Sequence, residues 1–497
     1  MILADFLLAQ PWFVWLILLP LGGAASTFVL PRRVAPIGFC CALLILAGAV
    51  FSVCQLAATG SLTQAAGHWS APLGIVLRAD GLAVVMLATT AGVGFIISCY
   101  ALGYFPARGH EPSRARYFWP LWLFVWAGCN ALYVSADLFN LYVTLEIVTL
   151  AAVALTALEG GAPAVGAALR YLLTSLVGSL TYLAGVALLY AGWGTVDLSL
   201  LSQVLTEDPL SRTAMALMIC GLLLKSALFP LHFWLPPAHG KAPAPVSAIL
   251  SALVVKTAYV VLLRLWFEVF ASFDRAMTAH LLGALGSAAI IWGSLMALRQ
   301  ERLKLLIAYS TVAQIGYLFL VFPLAGAETA ATVWTAVILF MVAHACGKAA
   351  MFLVAGTIQQ TAGHDRISQM AGAGGPIGVL AVVFALASVT IIGLPPSGGF
   401  FAKWLLLNAA LATGQWWYCP VILTGSLLAA AYVTRVLSWA FLDVRRNVCP
   451  VSSRVMKWPP LALCLVALLL GLAAYGPVRV ALTGAPVTGH VLVEQRP

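Results

Sequence analysis

Charge is what this sequence has least of. Only 8% of its 497 residues are Asp, Glu, Lys or Arg, against 62% hydrophobic residues, and the mean hydropathy is +1.01. A soluble domain is about a quarter charged, so this composition excludes an aqueous globular protein and places the chain in a bilayer. Acidic residues are scarcest, 16 against 26 Lys and Arg, which leaves a net charge of +10. No basic groove with interleaved aromatics accompanies that charge, so it speaks for no nucleic-acid partner. Metal and nucleotide signatures are missing as well. The ten cysteines include no C-x-x-C pair, and no His/Cys cluster shows metal-ligand spacing. Cys54, Cys129, Cys220, Cys346 and Cys464 each sit alone in apolar runs and read as small packing residues. No G-x-x-x-x-G-K-S/T motif occurs, so no phosphate cradle is expected. The chain is therefore expected to hold no cofactor and no metal, and any redox centre must belong to a partner. The opening MILADFLLAQPWFVW has no basic n-region and no small-residue cleavage site, so the first apolar run is expected to be a retained helix.

Apolar length is what the chain has in abundance. Runs able to cross a hydrocarbon core of about 30 Å lie near 12–30, 36–57, 80–104, 117–134, 137–157, 166–191, 212–229, 246–269, 279–298, 304–323, 332–356, 374–393, 399–441 and 457–476. The run 399–441 exceeds one crossing, so it divides into a half-helix completing the preceding span and a separate helix from about 419. The expected fold class is an all-α polytopic membrane protein of about fourteen transmembrane helices, one integral membrane domain over 1–497. Basic residues concentrate in alternate loops: Arg32 and Arg33; Arg108, Arg114 and Arg116; Lys241; Arg299, Arg302 and Lys304; Arg366; Arg445, Arg446, Arg454 and Lys457. The intervening loops hold little beyond Arg78, Arg212 and Arg275. The positive-inside rule then turns the basic loops to the cytoplasm and both termini outward, in a cell inner membrane.

Within the spans, a few ionisable residues stand out because a charge at the bilayer centre costs several kcal/mol unless paired, hydrated or discharged. Residues 222–266 carry two lysines. Lys225 precedes a cluster of Pro230, Pro236, Pro237, Pro243 and Pro245, and Lys256 lies in the next apolar run. Proline removes a backbone donor and clashes with the preceding turn, so a helix break is expected between Leu228 and Pro230. Broken helices in membranes occur where the freed backbone lines a cavity, and transporters place ion sites there. Lysine also gives up its proton on burial far more readily than arginine, which makes a proton site the leading reading.

Other spans extend the set. Glu146 lies about two and a half turns after Asp137, deep enough to need either a proton or a cation, whereas Asp137 is placed to cap its helix. Arg170, near Tyr171, Thr174 and Ser175, suits a fixed countercharge that snorkels to the interface. His232 and His239 follow the proline break and can pass protons in from the bulk. Ser310, Gln314 and Tyr317 fall on one helix face, and His344 and Lys348, four apart, share another. VTIIGLPPSGGFFAKWLLLNA repeats the device of a Gly/Pro break beside a lysine, Lys403. Two such segments five spans apart are what an inverted repeat produces, with halves at 117–269 and 279–441 flanked by N-terminal helices in 1–116 and a last helix at 457–476. Arg435 reads as a structural cation. Glu146, Lys225, Lys256, His344, Lys348 and Lys403 form a candidate lateral proton path. None of these groups supplies the nucleophile, base and orienter of a hydrolase.

The segments FNLYVTLEIVTLAAVAL, KSALFPLHFWLPPAHGKAPAPVSAILSALVVKTAYVVLLRL, LKLLIAYSTVAQIGYLFL, HACGKAAMFL and GLPPSGGFFAKW resemble the antiporter-like subunits shared by respiratory complex I, membrane-bound hydrogenases and Mrp sodium/proton antiporters. The resemblance runs over residues 80–441, and among branches it looks most like the D subunit of Mrp antiporters. It implies that Glu146 and Lys225 form a switching ion pair, that Lys256 is the central relay and that Lys403 ends the path near one exit. It implies other membrane subunits as partners, with protons or sodium as the moving ions and the lipid bilayer as surroundings. The sequence departs from the family at Pro237, where many relatives carry an acidic residue, and at Arg170, where relatives often carry lysine. Two alternatives stay open at this point: a membrane scaffold that does not pump, and the membrane half of an inorganic-carbon accumulating complex with a zinc-containing soluble partner.

Overall fold

The computed structural model describes residues 10–106, 112–370, 376–441 and 454–487. The basic residues Arg108, Arg445 and Arg446 lie outside the described residues. The architecture is almost wholly helical: α1 (Trp12–Val29), α2 (Val34–Thr59), α3 (Gly81–Tyr104), α4 (Pro112–Val134), α5 (Leu138–Thr156), α6 (Gly161–Trp193), the short α7 (Leu198–Val204) and α8 (Pro209–Lys225) make up the first half. A two-stranded antiparallel hairpin, β1 (Leu62–Ala65) with β2 (Val76–Ala79), pairs Leu62 with Ala79 between α2 and α3. The second half contains α9 (Leu235–Lys241), α10 (Ala244–Val269), α11 (Ala276–Arg299), α12 (Leu303–Leu324), α13 (Ala330–Ala362), α14 (Pro376–Ile392), α15 (Gly398–Ala412), α16 (Tyr418–Ala440), α17 (Trp458–Leu472) and α18 (Tyr475–Leu482).

Among the described residues ten helices are long and apolar enough to cross a membrane, or eleven if α17 and α18, bent by 77°, count as one span. The chain is a multi-pass membrane protein. Burial sorts the helices into an axis and a rim. The apolar stretches of α10 and α13 are 100% and 94% buried, whereas those of α1, α2 and α16 are 33% buried and turn much of their apolar surface outward. A helix that is apolar all round yet buried belongs inside a bundle, so α10, α12 and α13 form the core that the other helices enclose.

Two devices set the local geometry. The first is close helix approach at glycine. A side chain at Gly178 of α6 would stand 2.8 Å from the Gly221 carbonyl of α8, so only glycine lets these backbones touch, as small residues do between membrane helices. The second is helix interruption. Expected after Leu228, the first break comes earlier: α8 ends at Lys225, Ser226 caps it and Ala227 adopts φ 54°. A left-handed alanine costs ~1–2 kcal/mol, and the proline cluster downstream prevents the helix from continuing. The indole Nε1 of Trp234 donates to the Leu224 carbonyl at 3.0 Å, satisfying one of the acceptors that the break frees. The second break follows α14, where Gly393 at φ 86° ends the helix and Ser397 caps α15 by accepting from the Phe400 amide.

One placement corrects the sequence reading. Lys304, counted among the loop cations, is buried at 4% exposure and donates to the Ala242 carbonyl. Helix α12 begins one residue before it, so the side chain is drawn inward against α9 and away from the aqueous face.

Candidate functional site

Glu146 and Lys225 meet. The Lys225 ammonium lies 3.0 Å from Glu146 Oε1 and donates to Thr149 Oγ1 at 2.9 Å. The Ser179 hydroxyl also donates to Glu146 Oε1. Three helices build the contact: α5 supplies Glu146 and, one turn later, Thr149; α8 ends on Lys225; and α6 inserts Ser179 between them. Gly178, next to Ser179, is what lets α8 come close enough. An ion pair at this depth keeps its geometry only if the remaining donors and acceptors are answered, and the two hydroxyls do that. The family resemblance implied the pair, and both hydroxyls were missed. Thr149 is three residues after Glu146 and therefore on its face; for Ser179 no local signal exists.

Lys256 is held differently. Its ammonium donates to the carbonyls of Ala252 at 2.6 Å and Ser251 at 3.2 Å in its own helix. Residues Leu250–Val254 form a wide i→i+5 turn, a geometry that leaves carbonyls available and is frequent at functional sites. Ser251 Oγ also lies 2.9 Å from Thr311 Oγ1 of α12. Lys256 has no carboxylate within ion-pair distance among the described residues.

His344 and Lys348 lie on α13 as their spacing requires, both buried. Lys348 donates to Ser310 Oγ and to the Ile307 carbonyl at 3.2 Å, both on α12. The His344 ring stacks on Phe340 at 6.2 Å, and neither ring nitrogen has a hydrogen-bond partner among the described residues. His344 lies within Coulomb reach of both Lys256 and Lys348, and Lys348 within reach of Lys256 and Lys403.

Lys403 closes the set. Its ammonium donates to the Ile391 and Ile392 carbonyls, both at 3.0 Å, and to Ser426 Oγ at 3.1 Å. The two carbonyls are the last of α14, the negative end of a half-helix dipole. The ammonium also sits 4.3 Å from the centroid of the Tyr317 ring, a cation–π contact. Gly393 is required twice, by its positive φ and by the approach of Lys403 Cδ to within 2.8 Å of where a side chain would begin.

The structure therefore brings Lys256, His344, Lys348 and Lys403 into one electrostatically linked series and joins Glu146 to Lys225, with no direct contact between Lys225 and Lys256 among the described residues. Asp137 caps α5 as expected, accepting from the Asn140 amide at 2.7 Å. Arg170 is exposed, and Arg435 binds the carbonyls of Leu298 and Gln300, as a structural cation does. His239, expected to meet the bulk, is instead fully buried against Phe352, at 4.7 Å between rings, because α9 folds inward over α13. His232 is also nearly covered, at 9% exposure.

A second charged cluster escaped the sequence reading. Arg264 of α10 donates to Asp80 through both terminal nitrogens, at 2.8 and 3.0 Å, and to Glu268 at 3.0 Å, while Arg78 of β2 pairs with the same two carboxylates. This cluster ties α3, β2 and α10 together at the C-terminal end of α10, two turns and more beyond Lys256. Among the described residues no group of three or more His, Cys, Asp or Glu side chains is arranged to hold a metal ion.

The family described as NADH:quinone oxidoreductase/Mrp antiporter, TM, matches residues 135–429, the stretch holding every member of the candidate path. The chain belongs to this antiporter-like family. A second family, described as NADH-ubiquinone oxidoreductase (complex I), chain 5 N-terminus, matches residues 66–118. The chain is 34% identical to NADH-quinone oxidoreductase subunit N of Desulforudis audaxviator, over 92% of its own length and 94% of the relative's. It is 30% identical to the D subunit of the Na(+)/H(+) antiporter of Bacillus subtilis, over 83% of both chains. Among solved structures, a chain of the Mrp complex from a Dietzia species superposes with TM-score 0.85 at 25% identity, covering 99% of this chain and 100% of that one. Antiporter-like subunits of this family belong to multi-subunit membrane complexes, so other membrane subunits are expected beside this one.

Proposed function

We propose that this antiporter-like subunit moves protons laterally through the middle of a multi-subunit membrane complex. Glu146 and Lys225 act as a switching ion pair, Lys256 is the central relay, His344 and Lys348 carry the proton onward, and Lys403 delivers it near one exit. The observation that carries the reading is the Lys225–Glu146 contact at 3.0 Å at the end of a broken helix, beside a series of buried basic groups within Coulomb reach of their neighbours. A charge arriving at Glu146 changes what Lys225 prefers, and in a low-dielectric interior each proton step biases its neighbour. The driving reaction, whether quinone reduction, hydrogen evolution or sodium exchange, belongs to its partners.

The same reading sets the topology. Adding α4, α8, the broken pair α14–α15 and the bent pair α17–α18 to the ten clear spans gives fourteen crossings. The two broken helices, each followed or preceded by a path lysine, support inverted halves at 117–269 and 279–441. The basic loops face the cytoplasm, and both termini lie outside the inner membrane.

Reconstitution of the complex into proteoliposomes with a pH-sensitive dye tests the reading. Lys225→Ala and Glu146→Gln are each expected to abolish proton transport while native gels show the complex assembled. Normal transport in both variants defeats the mechanism.

A further inference from the structure

A cleft of about 390 Å³ opens between α9 and α12, and none of the path residues lines it. Its walls are Pro236, Pro237, Leu305 and Tyr309, and its mouth carries Lys241 and Arg302, both exposed. Gly240, Lys241 and Arg302 also line a smaller chamber of about 200 Å³ containing Lys304, Glu159 and Tyr104. Three cations, Lys241, Arg302 and Lys304, and one carboxylate, Glu159, line the two spaces. Glu159 is held by Arg114 at 2.8 Å, Arg302 reaches Asp365 only at 3.9 Å, and neither Lys241 nor Lys304 has a carboxylate within ion-pair distance among the described residues. The adjoining turn adds Arg299 and Glu301, which are of opposite sign.

The apolar side of the cleft points into the bilayer. Tyr309 lies seven residues into α12 from Arg302, and Trp292 seven residues before Arg299 on α11, so each is about 10 Å deeper than the charged mouth. Between them run ring contacts: Trp292 with Phe229 at 5.9 Å, Phe229 with His232 at 5.6 Å, and His232 with Tyr309 at 6.5 Å. Trp292 is 45% and Phe233 51% exposed, in a helix layer that faces the membrane. Lys241, with no carboxylate within ion-pair distance among the described residues, and Arg302, with one only at 3.9 Å, stand at the end of the spans above an exposed aromatic strip and match a molecule with an anionic head and a hydrocarbon tail.

We propose that this cleft binds one anionic phospholipid, its headgroup phosphate held by Lys241 and Arg302 and its acyl chain laid over Tyr309 and Trp292. Arginine and lysine make the strongest hydrogen bonds available to a phosphate, and an anionic lipid adds no ammonium to the cationic mouth. Bridging Lys241 to Arg302, the lipid fastens α9, the segment that follows the break after Lys225, onto α12. The binding rests on the membrane topology and does not depend on proton transport.

The test measures retained lipid in the intact complex. The complex is incorporated into nanodiscs of phosphatidylcholine containing a minor fraction of phosphatidylglycerol, re-extracted in mild detergent, and its bound lipid counted by native mass spectrometry. The wild type is expected to retain phosphatidylglycerol in preference to phosphatidylcholine. Lys241→Gln with Arg302→Gln is expected to lower that retention at least about tenfold, while Arg32→Gln with Arg33→Gln, at another basic loop, leaves it unchanged. Size exclusion and melting of each variant check that it is folded. Equal retention of the two lipids, equal loss in both variant pairs, displacement by millimolar inorganic phosphate, or another protein of the complex found seated in the cleft would each overturn the proposal.

Discussion

The two lysines beside the two helix breaks are held in opposite ways. Lys225 ends its half-helix and meets a carboxylate, Glu146, with two hydroxyls completing the contact. Lys403 begins beyond its break and meets only dipoles: two terminal carbonyls of α14, one hydroxyl and the Tyr317 ring. The first site is electrically neutral with the proton on its lysine; the second is neutral only with the proton off. In the proposed path, a paired end and an unpaired end would separate where charge is exchanged within the protein from where it is released.

The strongest way to break this comparison is to unpair the first site. Lys225→Gln strands the Glu146 carboxylate, and removing one member of a buried pair costs ~3–5 kcal/mol. The double variant Glu146→Gln with Lys225→Gln is expected to recover most of that stability and none of the transport. Thermal melting of the purified complex beside a transport assay reads both, and additive losses in the double variant would mean that the two side chains are not coupled.

Lys403→Met comes next. It removes hydrogen bonds to groups that already sit at a helix end and strands no charge, so the expected stability loss is smaller, ~1–3 kcal/mol, with transport lost. A melting change as large as that of Lys225→Gln would show that the two sites are energetically alike. A sharper version converts one site into the other. Ser426→Asp places a carboxylate beside Lys403, and proton transport is expected to fall several-fold while the complex melts at or above the wild-type temperature. Unchanged transport would mean that the unpaired state of Lys403 is not needed.

The smallest effect belongs to Thr149→Val. It deletes one hydroxyl from the paired site, at an expected cost of ~1 kcal/mol, with a reduced rate and an intact pair. A total loss of transport in this variant would promote Thr149 from a positioning residue to a member of the path.

Much of the site was legible because membrane sequences advertise it. A lysine or glutamate in an apolar run needs a reason, and Lys225, Lys256, Lys348, Lys403 and Glu146 were visible on that ground alone. The same rule covers Arg264, which sits in the run after Lys256 and which the sequence reading passed over. Its partner Asp80 is 184 residues away, so the sequence offered a buried cation and no means of telling a clamp from a relay. Lys304 and His239 were misjudged for a related reason. Position near a loop suggested water, but α9 folds back against α12 and α13 and buries both.

What the sequence determined by itself is the solvent and the punctuation. Scarce charge and repeated apolar length require a bilayer, prolines and glycines fix where helices must stop, and the candidate path residues stand out by their cost in hydrocarbon. Tertiary structure alone decided the pairings. Whether a buried lysine meets a carboxylate, a wide turn of its own helix or the end of another depends on which helices approach within hydrogen-bond distance. That distance is set at places such as Gly178 and Gly393, where the absence of a side chain matters only once a neighbour is there.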